Sequence, residues 1–266
     1  LNPSNIFLDN FLFPKIGGFV TVKEIFDDDQ SSTSSYVVNK TPIYAAPETL
    51  KNNKNTKKSD VYSFAMILYE IVTNRKPFDG LTQYEIVKNV IENEKRPEIQ
   101  NEIPICYKNL IEKCWSQNPK ERPTFDEIIT IIKTDERFNL TEKIKKYIRF
   151  VDGEINVDFS EFSSNPIELN EVNKSKFSVE LKPIDLSQFG KVFKITEKKT
   201  KQIFAAKILN HPLETCSSDQ IININREINI NKQLNCPSII KFIGYNPNNF
   251  ENEPKPTIII EFAPKG

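Results

Sequence analysis

One lysine in the second half of the sequence has the setting of a chemically useful cation. Lys207 lies inside an apolar run, Phe204-Ala-Ala-Lys-Ile-Leu, which predicts a strand. Burying an ammonium group is costly unless an anion meets it, and Glu227, on the predicted helix that follows, could be that anion. Glu227 would share a helix face with Ile230 and Leu234. A lysine held by a helical glutamate can present its charge to a phosphate. For a lone lysine, a strand position with the ammonium in solvent is the simpler interpretation.

The elements that would position these two residues follow from the hydrophobic pattern. Apolar runs at 191–195, 202–209 and 257–262 predict strands, and a helix is expected at about 219–234. The second half of the chain is therefore predicted to be a sheet with one helix.

The first half is predicted to be rich in helices instead. Its most apolar helix is expected to begin at Ser59 and Asp60, which are residue types that cap helices. Further helices are expected near 82–93, 104–115 and 124–133. The apolar residues that recur at helical spacing in the first of these helices are Val61, Phe64, Leu68 and Ile71.

Composition places the chain among globular proteins and indicates neither nucleic acid nor membrane as a partner. Hydrophobic residues make up 38% and charged residues 27% of the 266, and the formal net charge is +0. The sequence has no excess of basic residues that would favour binding to nucleic acid or to an anionic membrane. No apolar stretch is long enough to span a bilayer. No signal peptide opens the sequence, so a cytoplasmic location is expected. Because Leu1 is not an initiator Met, we expect a processed, excised or incomplete chain.

Cysteine and histidine usage argues against disulfides and metal clusters. The four cysteines form no C-x-x-C pair, and free buried thiols in a reducing compartment are expected. The single histidine, His211, lies beside a proline and is expected in a loop. The cysteines are Cys106, Cys114, Cys216 and Cys236.

Two further motifs flank Lys207. Phe189-Gly190-Lys191-Val192 precedes it, and Ile260-Glu261-Phe262-Ala263 closes the predicted sheet. Together with Lys207 and Glu227 they resemble the small lobe of a eukaryotic protein kinase. The resemblance implies that Lys207 holds the α- and β-phosphates of ATP and pairs with Glu227 on the helix of that lobe.

The same resemblance implies an adenine pocket. Val192 and Ala205 would sandwich the adenine ring, and Ile260 would be the gatekeeper residue. The backbone of Glu261 and Ala263 would hydrogen-bond the adenine edge.

The glycine-rich loop that covers the phosphates in this family is only partly present. Of the pattern G-x-G-x-x-G, the stretch Asp185-Leu-Ser-Gln-Phe-Gly190 keeps only the third glycine, Gly190. Asp185 and Ser187 stand where glycines let the backbone approach the phosphates, and Asp185 adds a negative charge there. Asn231 departs as well, because an apolar residue usually links the helix to the core at that position.

The start of the chain resembles the catalytic loop of the kinase large lobe. Leu1-Asn-Pro-Ser-Asn5 is similar to the end of the pattern H-R-D-L-K-P-x-N. The resemblance implies that Asn5 holds Mg²⁺, and Asn2 replaces the loop lysine. The catalytic aspartate would precede Leu1, so this sequence does not contain it.

A second metal-binding motif of the large lobe is altered. Lys15-Ile-Gly-Gly-Phe-Val20 aligns with K-I-x-D-F-G, so that Gly18 replaces the metal-binding aspartate and Val20 replaces a glycine. Glycine has no side-chain oxygen to offer Mg²⁺. This substitution predicts impaired metal binding.

The remaining large-lobe motifs follow in the order of the family. Arg122 is expected to pair with Glu48, and Asp60 is expected to anchor the catalytic-loop backbone. The cluster at 31–36 could carry activating phosphates or be an unmodified solvated loop. The motifs look most like the tyrosine-kinase-like group of serine/threonine kinases. The matching stretches are 41–48, 59–64, 76–78, 114–115 and 121–125.

The two lobes occur in the reverse of the usual order. A partial large lobe is predicted at 1–133, a linker at 134–175 with one helix near 142–148, and a small lobe at 176–266. Two large-lobe helices have no counterpart, so the 61–71 helix is expected to lack part of its usual cover. Two explanations stay open: an internal segment of a tandem-kinase protein, which we favour, or a permuted or wrongly delimited product.

These observations predict an α+β protein-kinase-like fold, with a helix-rich large lobe followed by a five-stranded antiparallel small lobe with one helix. The implied activity is ATP- and Mg²⁺-dependent phosphorylation of protein Ser/Thr, impaired in this chain. The implied partner is a protein substrate or a partner kinase. The alternative is a pseudokinase-type interaction or regulatory module without catalysis. A purely structural α/β protein, the third possibility, would show no stabilisation by nucleotide.

Overall fold

The structure is a computed structural model of the chain. It divides into two compact units, Leu1–Pro3 with Lys23–Arg149 and Ser4–Val22 with Phe150–Gly266. The domain boundaries predicted from sequence stay a prediction, and we note that Ser4–Val22 groups with the second unit. The residues described are 1–19, 32–33, 42–99, 103–138, 172–186, 190–234 and 236–264.

Several sequence-based expectations lie outside the described residues. These concern the helix near 142–148, Val20, the phosphorylation cluster at 31–36 apart from the backbone of Ser32–Thr33, Thr41, and the loop residues 187–189.

The first unit consists mainly of helices. The helices predicted near 82–93, 104–115 and 124–133 are confirmed. Capping boxes begin the first and the last of these three, at Thr82 and Thr124. In chain order the helices are α1 (Pro47–Asn52), α2 (Lys57–Thr73), α3 (Gln83–Ile91), α4 (Ile105–Cys114) and α5 (Phe125–Thr134).

Helix α2 begins earlier than the sequence indicated. Its N-cap is Thr56, whose hydroxyl accepts a hydrogen bond from the Ser59 backbone N–H at 3.1 Å. The Ser59 hydroxyl accepts one from the Thr56 N–H at 2.9 Å, which completes a capping box. The prediction that Ser59 and Asp60 cap this helix was wrong, because Ser59 is the third helical residue and acts as the reciprocal partner of the cap.

The core of the first unit is built around α2, which packs against α4. Ile71, near the end of α2, is 71% exposed, as expected for a helix that lacks part of its usual cover. The apolar side chains that α2 buries most completely are Val61, Tyr62, Ala65 and Met66.

Short strands form two antiparallel pairs outside the main sheet. Strand β1 (Ile6–Leu8) pairs with β2 (Pro14–Ile16), and β3 (Ser32–Thr33) pairs with β4 (Lys54–Asn55). In the β1–β2 hairpin, Asp9 Oδ1 accepts hydrogen bonds from two backbone N–H groups of the turn, at 2.8 and 3.0 Å. This Asx-type turn explains why the chain reverses directly after β1.

Besides the β1–β2 pair, the described residues of the second unit form a main antiparallel sheet with strand order β5-β7-β8-β10-β9. Strand β6 pairs with the end of β7 that β5 does not cover, so β5 and β6 are two pieces of one interrupted edge strand. The predicted five-stranded antiparallel sheet is confirmed. Its strands are β5 (Phe177–Val179), β6 (Asp185–Leu186), β7 (Gly190–Glu197), β8 (Ile203–Leu209), β9 (Phe242–Asn246) and β10 (Thr257–Glu261).

One helix, α6 (Ser218–Gln233), covers one face of this sheet. Ile228 on α6 packs with Tyr245 and Ile258 of the sheet. The opposite face is closed by a second apolar cluster. Its buried members are Phe177, Ile195, Phe204, Ala206 and Ile259.

Candidate nucleotide site

The lysine and glutamate singled out from the sequence meet in the structure. Lys207 on β8 places its Nζ 2.7 Å from Oε2 and 3.0 Å from Oε1 of Glu227 on α6. The side chains of Lys207 and Glu227 are only 17% and 9% exposed. An ammonium group has three donors, so the pair holds the cation in place and still allows it to meet a further anion.

The sheet register brings the other predicted small-lobe residues to the face that carries Lys207. Val192 lies directly opposite Lys207, and Ile260 lies directly opposite Ala205. Because opposed residues of an antiparallel pair point to the same face, and because Ala205 is two residues from Lys207, all four share one face. Ala205 is buried, while Val192 and Ile260 are half-buried. This is the face that α6 covers in part, since Ile260 packs at the edge of the cluster around Ile228.

The expected adenine edge lies where β10 ends. Glu261 is its last residue, and its backbone N–H donates to the carbonyl of Lys241 at 2.8 Å. The backbone group of Glu261 that an adenine could meet is therefore the carbonyl. Ala263 follows beyond the strand and is half-buried.

Gly190 is retained for a reason that does not involve phosphate. It is buried at the start of β7, and a Cβ at this position would collide with the carbonyl oxygen of Ile208 on the neighbouring strand. Asp185 and Leu186 ahead of it are exposed. The one glycine kept from the loop pattern is thus required by close packing between β7 and β8.

The predicted metal site has little to offer a cation. Gly18 has a φ of +71°, and a Cβ there would lie 2.5 Å from Asn5 Oδ1, so the Asn5 amide occupies the space of the missing side chain. Among the described residues, no group of three or more His, Cys, Asp or Glu side chains could hold a metal ion. One neutral amide oxygen does not match the oxygen-rich, usually carboxylate-containing shell of Mg²⁺. The residues present do not fit the metal that the resemblance implies.

Asn231 stands where the family usually has an apolar residue, and it is only 5% exposed. Its Nδ2 donates to the carbonyl of Glu227 at 2.8 Å, one turn back on α6. Asn231 cannot make the apolar contact that usually links this helix to the core. The neighbouring residue Ile230 packs with Leu234 and Ile239 instead.

The large-lobe ion pair predicted from sequence is present in the first unit. Arg122 donates to both carboxylate oxygens of Glu48, at 2.7 and 2.9 Å. The guanidinium is fully buried and also donates to the carbonyls of Ser116 and Lys58, at 2.8 and 3.0 Å. Asp60 Oδ1 accepts a hydrogen bond from the Leu1 nitrogen at 3.0 Å, and its expected role as an anchor of the catalytic-loop backbone stays a prediction.

Two contacts, one in each unit, were not predicted from the sequence. Tyr62 lies between the guanidinium groups of Arg96 and Arg122, whose Cζ atoms are 5.1 and 5.2 Å from its ring centroid. Lys15 pairs with Glu261 at 2.9 Å across 246 positions of the sequence. Neither contact has a local pattern that could have revealed it, although Lys15 belongs to a recognised motif.

The four cysteines are free, and Cys106 and Cys114 are buried as predicted. The expected burial was wrong for Cys216 and Cys236, which are only half-buried. Burial raises the pKa of the Cys114 thiol to about 12, which makes it unreactive. His211 lies in a bend after β8, as expected. In the part of the chain that the structure describes, no helix is long and apolar enough to cross a membrane.

An antiparallel sheet carrying a lysine that a helical glutamate holds, together with a helical unit locked by a buried arginine, defines a protein-kinase-like protein. Comparison with known families agrees. The family described as "Protein tyrosine and serine/threonine kinase" matches residues 1–132, and the family described as "Protein kinase domain" matches residues 182–266. The chain belongs to the eukaryotic protein kinase superfamily, whose members generally use ATP and a divalent metal.

Individual relatives are similar over parts of the chain. A probable serine/threonine-protein kinase drkC of Dictyostelium discoideum is 42% identical over 34% of this chain and 12% of its own length. The dual specificity protein kinase pyk3 of the same organism is 33% identical over 62% of this chain and 12% of its own length. The serine/threonine/tyrosine-protein kinase HT1 of Arabidopsis thaliana is 33% identical over 48% of this chain and 35% of its own length. The chain therefore spans only a minor part of each of these relatives.

Proposed function

We propose that this chain binds an adenine nucleotide in the manner of a protein kinase. The observation that carries the proposal is the bidentate pair between Lys207 and Glu227, which sets a half-buried ammonium on the sheet face shared by Val192, Ala205 and Ile260. An apolar wall beside a fixed cation suits a flat heterocycle joined to phosphates.

The reaction we propose for this site is transfer of the γ-phosphoryl group of ATP to Ser or Thr hydroxyls of a protein, in the cytoplasm. The relatives are described as serine/threonine or dual-specificity kinases, and the motifs are most similar to the tyrosine-kinase-like group. Transfer is proposed to be impaired, because Gly18 supplies no metal ligand and Asn5 lies in its place. The proposed contacts of Glu261 and Ala263 with adenine rest on the family resemblance. The metal contact of Asn5 rests on it alone, and the packing of Asn5 against Gly18 argues against that contact.

The Gly18–Asn5 contact also favours a second candidate. A pseudokinase-type module would keep the nucleotide site to stabilise its fold or to bind a partner kinase, without transferring phosphate. Both candidates require the lysine–glutamate pair, and they differ only in turnover.

The first experiment is thermal unfolding of the chain with ATP and ADP, in the presence and absence of Mg²⁺. We expect nucleotide to raise the melting temperature, and Lys207→Met to weaken binding by about tenfold or more, because a charge-assisted hydrogen bond to phosphate is lost. Lys191→Met is the matched control, since Lys191 is an exposed neighbour on the opposite face of β7. Absence of stabilisation at any nucleotide concentration would sink the proposal and favour a purely structural protein.

Transfer of radioactive phosphate to a general protein substrate separates the two candidates. Incorporation that Lys207→Met abolishes would establish a kinase and end the pseudokinase interpretation. Nucleotide binding without incorporation would establish the non-catalytic module.

A further inference from the structure

A pocket opens on the face of the main sheet that α6 does not cover, and we call it the outer pocket. Its volume of about 720 Å³ lies within the range that binding pockets usually have. Part of its lining is apolar and belongs to the cluster that closes this face of the sheet, including Phe177, Val179 and Phe250. The rest of the lining is polar and includes Lys174 and Lys198. The outer pocket therefore combines an apolar surface with cations.

The two lysines of the outer pocket are held by neutral oxygens. Lys174 Nζ donates to the carbonyl of Asn249 at 2.5 Å and to Asn252 Oδ1 at 3.0 Å. Lys198 Nζ donates to the carbonyl of Ser175 at 2.9 Å. Within the described part of the chain, neither ammonium pairs with a carboxylate, and no acidic side chain lines the pocket. An ammonium group has three donors, so each lysine keeps both its charge and a donor for an anion.

The chain enters the small lobe at the edge of the outer pocket. Val172 donates its N–H to the carbonyl of Tyr245 at 2.9 Å, and its own carbonyl accepts from Asn246 Nδ2 at 3.0 Å. A Cβ at Gly244 would collide with the Val172 side chain, so Val172 lies directly on β9. Val172 also belongs to the lining of the outer pocket. The chain is therefore fixed at the edge of this pocket.

The 22 residues before Val172 have a composition that complements the outer pocket, and we call residues 150–171 the acidic stretch. They belong to the same compact unit as the pocket. The acidic stretch has six carboxylates and no lysine or arginine. Its sequence Ser-Ser-Asn-Pro at 163–166 is typical of a turn, and a reversal there would bring Val-Asp-Phe-Ser-Glu-Phe at 157–162 back toward Val172. The acidic residues are Asp152, Glu154, Asp158, Glu161, Glu168 and Glu171.

We propose that the acidic stretch of this chain binds in the outer pocket. Phe159 and Phe162 cover the apolar part of the lining, and neighbouring carboxylates meet Lys174 and Lys198. The direct connection through Val172 raises the effective concentration of the stretch at the pocket, so modest contacts suffice and the same chain is favoured over a second copy. The outer pocket lies on the face of the sheet opposite the proposed nucleotide site, so this inference does not depend on the proposed function.

Limited digestion of the full chain with chymotrypsin tests the proposal without nucleotide. Mass spectrometry follows cleavage after Phe159 and Phe162, and a synthetic peptide of residues 150–171 gives the rate for the unbound sequence. We expect cleavage in the folded chain to be slower by about tenfold or more, because only the undocked population is cut. Cleavage of the chain and of the peptide at the same rate would overturn the proposal.

The pocket lysines are tested by charge reversal. Lys174→Glu combined with Lys198→Glu is expected to raise the cleavage rate by about tenfold, because both cations become carboxylates. The matched control is Lys199→Glu combined with Lys201→Glu, which makes the same change in charge at two exposed residues that do not line the pocket. An equal effect of the two double variants would contradict the proposal.

A rescue experiment separates docking from a general loss of structure. Asp158→Lys combined with Glu161→Lys should speed cleavage relative to a peptide with the same changes, and adding the two pocket substitutions should restore part of the protection. Failure of this restoration in a variant that circular dichroism shows to be folded would overturn the proposal. Dilution from about 20 to about 1 µM should leave the cleavage rate of the unmodified chain unchanged. Faster cleavage on dilution would show that the pocket takes the stretch of a second copy instead.

Discussion

Arg122 illustrates how much a single side chain can contribute when its charge is fully buried. Its guanidinium group meets both oxygens of Glu48 and two backbone carbonyls, so its donors serve groups that have little access to water. The sequence predicted this pair because both residues belong to motifs with fixed places in the family. The same holds for Lys207 and Glu227. In both cases a charge that is costly to bury alone has one particular partner, and the family motifs identify that partner in the sequence.

Arg122→Met is expected to lower the free energy of unfolding by about 3–5 kcal/mol, because it leaves a half-buried carboxylate without its cation. Urea unfolding at neutral pH measures the change. Arg137→Met is the control, since its ion pair with Asp135 at 2.7 Å is exposed, and its urea midpoint should not move. Equal midpoints for the two variants would contradict the structural role given to Arg122.

For Tyr62, removing a polar group is not expected to destabilise the protein, in contrast to the Arg122 substitution. Its hydroxyl is buried and finds no hydrogen-bond partner in the described part of the chain, and burial raises the pKa of Tyr62 to about 12. Tyr62→Phe keeps the ring between Arg96 and Arg122 and removes only the unpaired hydroxyl. We expect stability to stay the same or to rise by about 1 kcal/mol.

Tyr69 provides the comparison for this measurement. Its hydroxyl donates to the Glu98 carbonyl at 3.2 Å, so Tyr69→Phe should lower stability by about 1 kcal/mol. If thermal unfolding shows the same loss for Tyr62→Phe and Tyr69→Phe, the Tyr62 hydroxyl has a partner after all.

At the scale of secondary-structure elements, the sequence predicted which helices exist better than it predicted where each helix begins. Hydrophobic periodicity located α3, α4, α5 and α6 to within one or two residues, because each has an apolar face that must be buried. The start of α2 was misplaced because Thr56 lies ahead of two lysines and the apolar pattern begins only after them. A capping box depends on side-chain geometry that a residue type alone does not specify.

Thr56→Ala should therefore cost about 1 kcal/mol of stability, because it removes the acceptor for the Ser59 N–H at the start of the central helix. Thr130→Ala is the matched control: this exposed residue on α5 bonds only back to the Asp126 carbonyl at 2.8 Å, and alanine is the better helix former. Urea midpoints compare the two. A loss at Thr130 as large as the loss at Thr56 would argue against the cap.

At the scale of the whole molecule, the contacts between the start and the end of the chain could not be predicted from the sequence. Lys15 and Glu261 are 246 residues apart, and no periodicity or spacing relates two positions at that distance. The position of Asn5 against Gly18 was equally hidden, because it depends on a backbone with a φ of +71°. The departure at Gly18 could be predicted from the motif, but the side chain that fills its space could not.

The β1–β2 hairpin, whose Lys15 pairs with Glu261, also forms a parallel bridge between Ile16 and Ile239, and this pairing has a consequence for how the protein is made. On a ribosome that adds roughly 5–20 residues per second, the β1–β2 hairpin is synthesised roughly 10–45 seconds before residues 238–240, with which it pairs. Throughout that interval the apolar side of the hairpin has no native partner, and closing so long a loop afterwards is slow. During synthesis, each chain is thus expected to expose the apolar side of this hairpin until residues 238–240 have emerged.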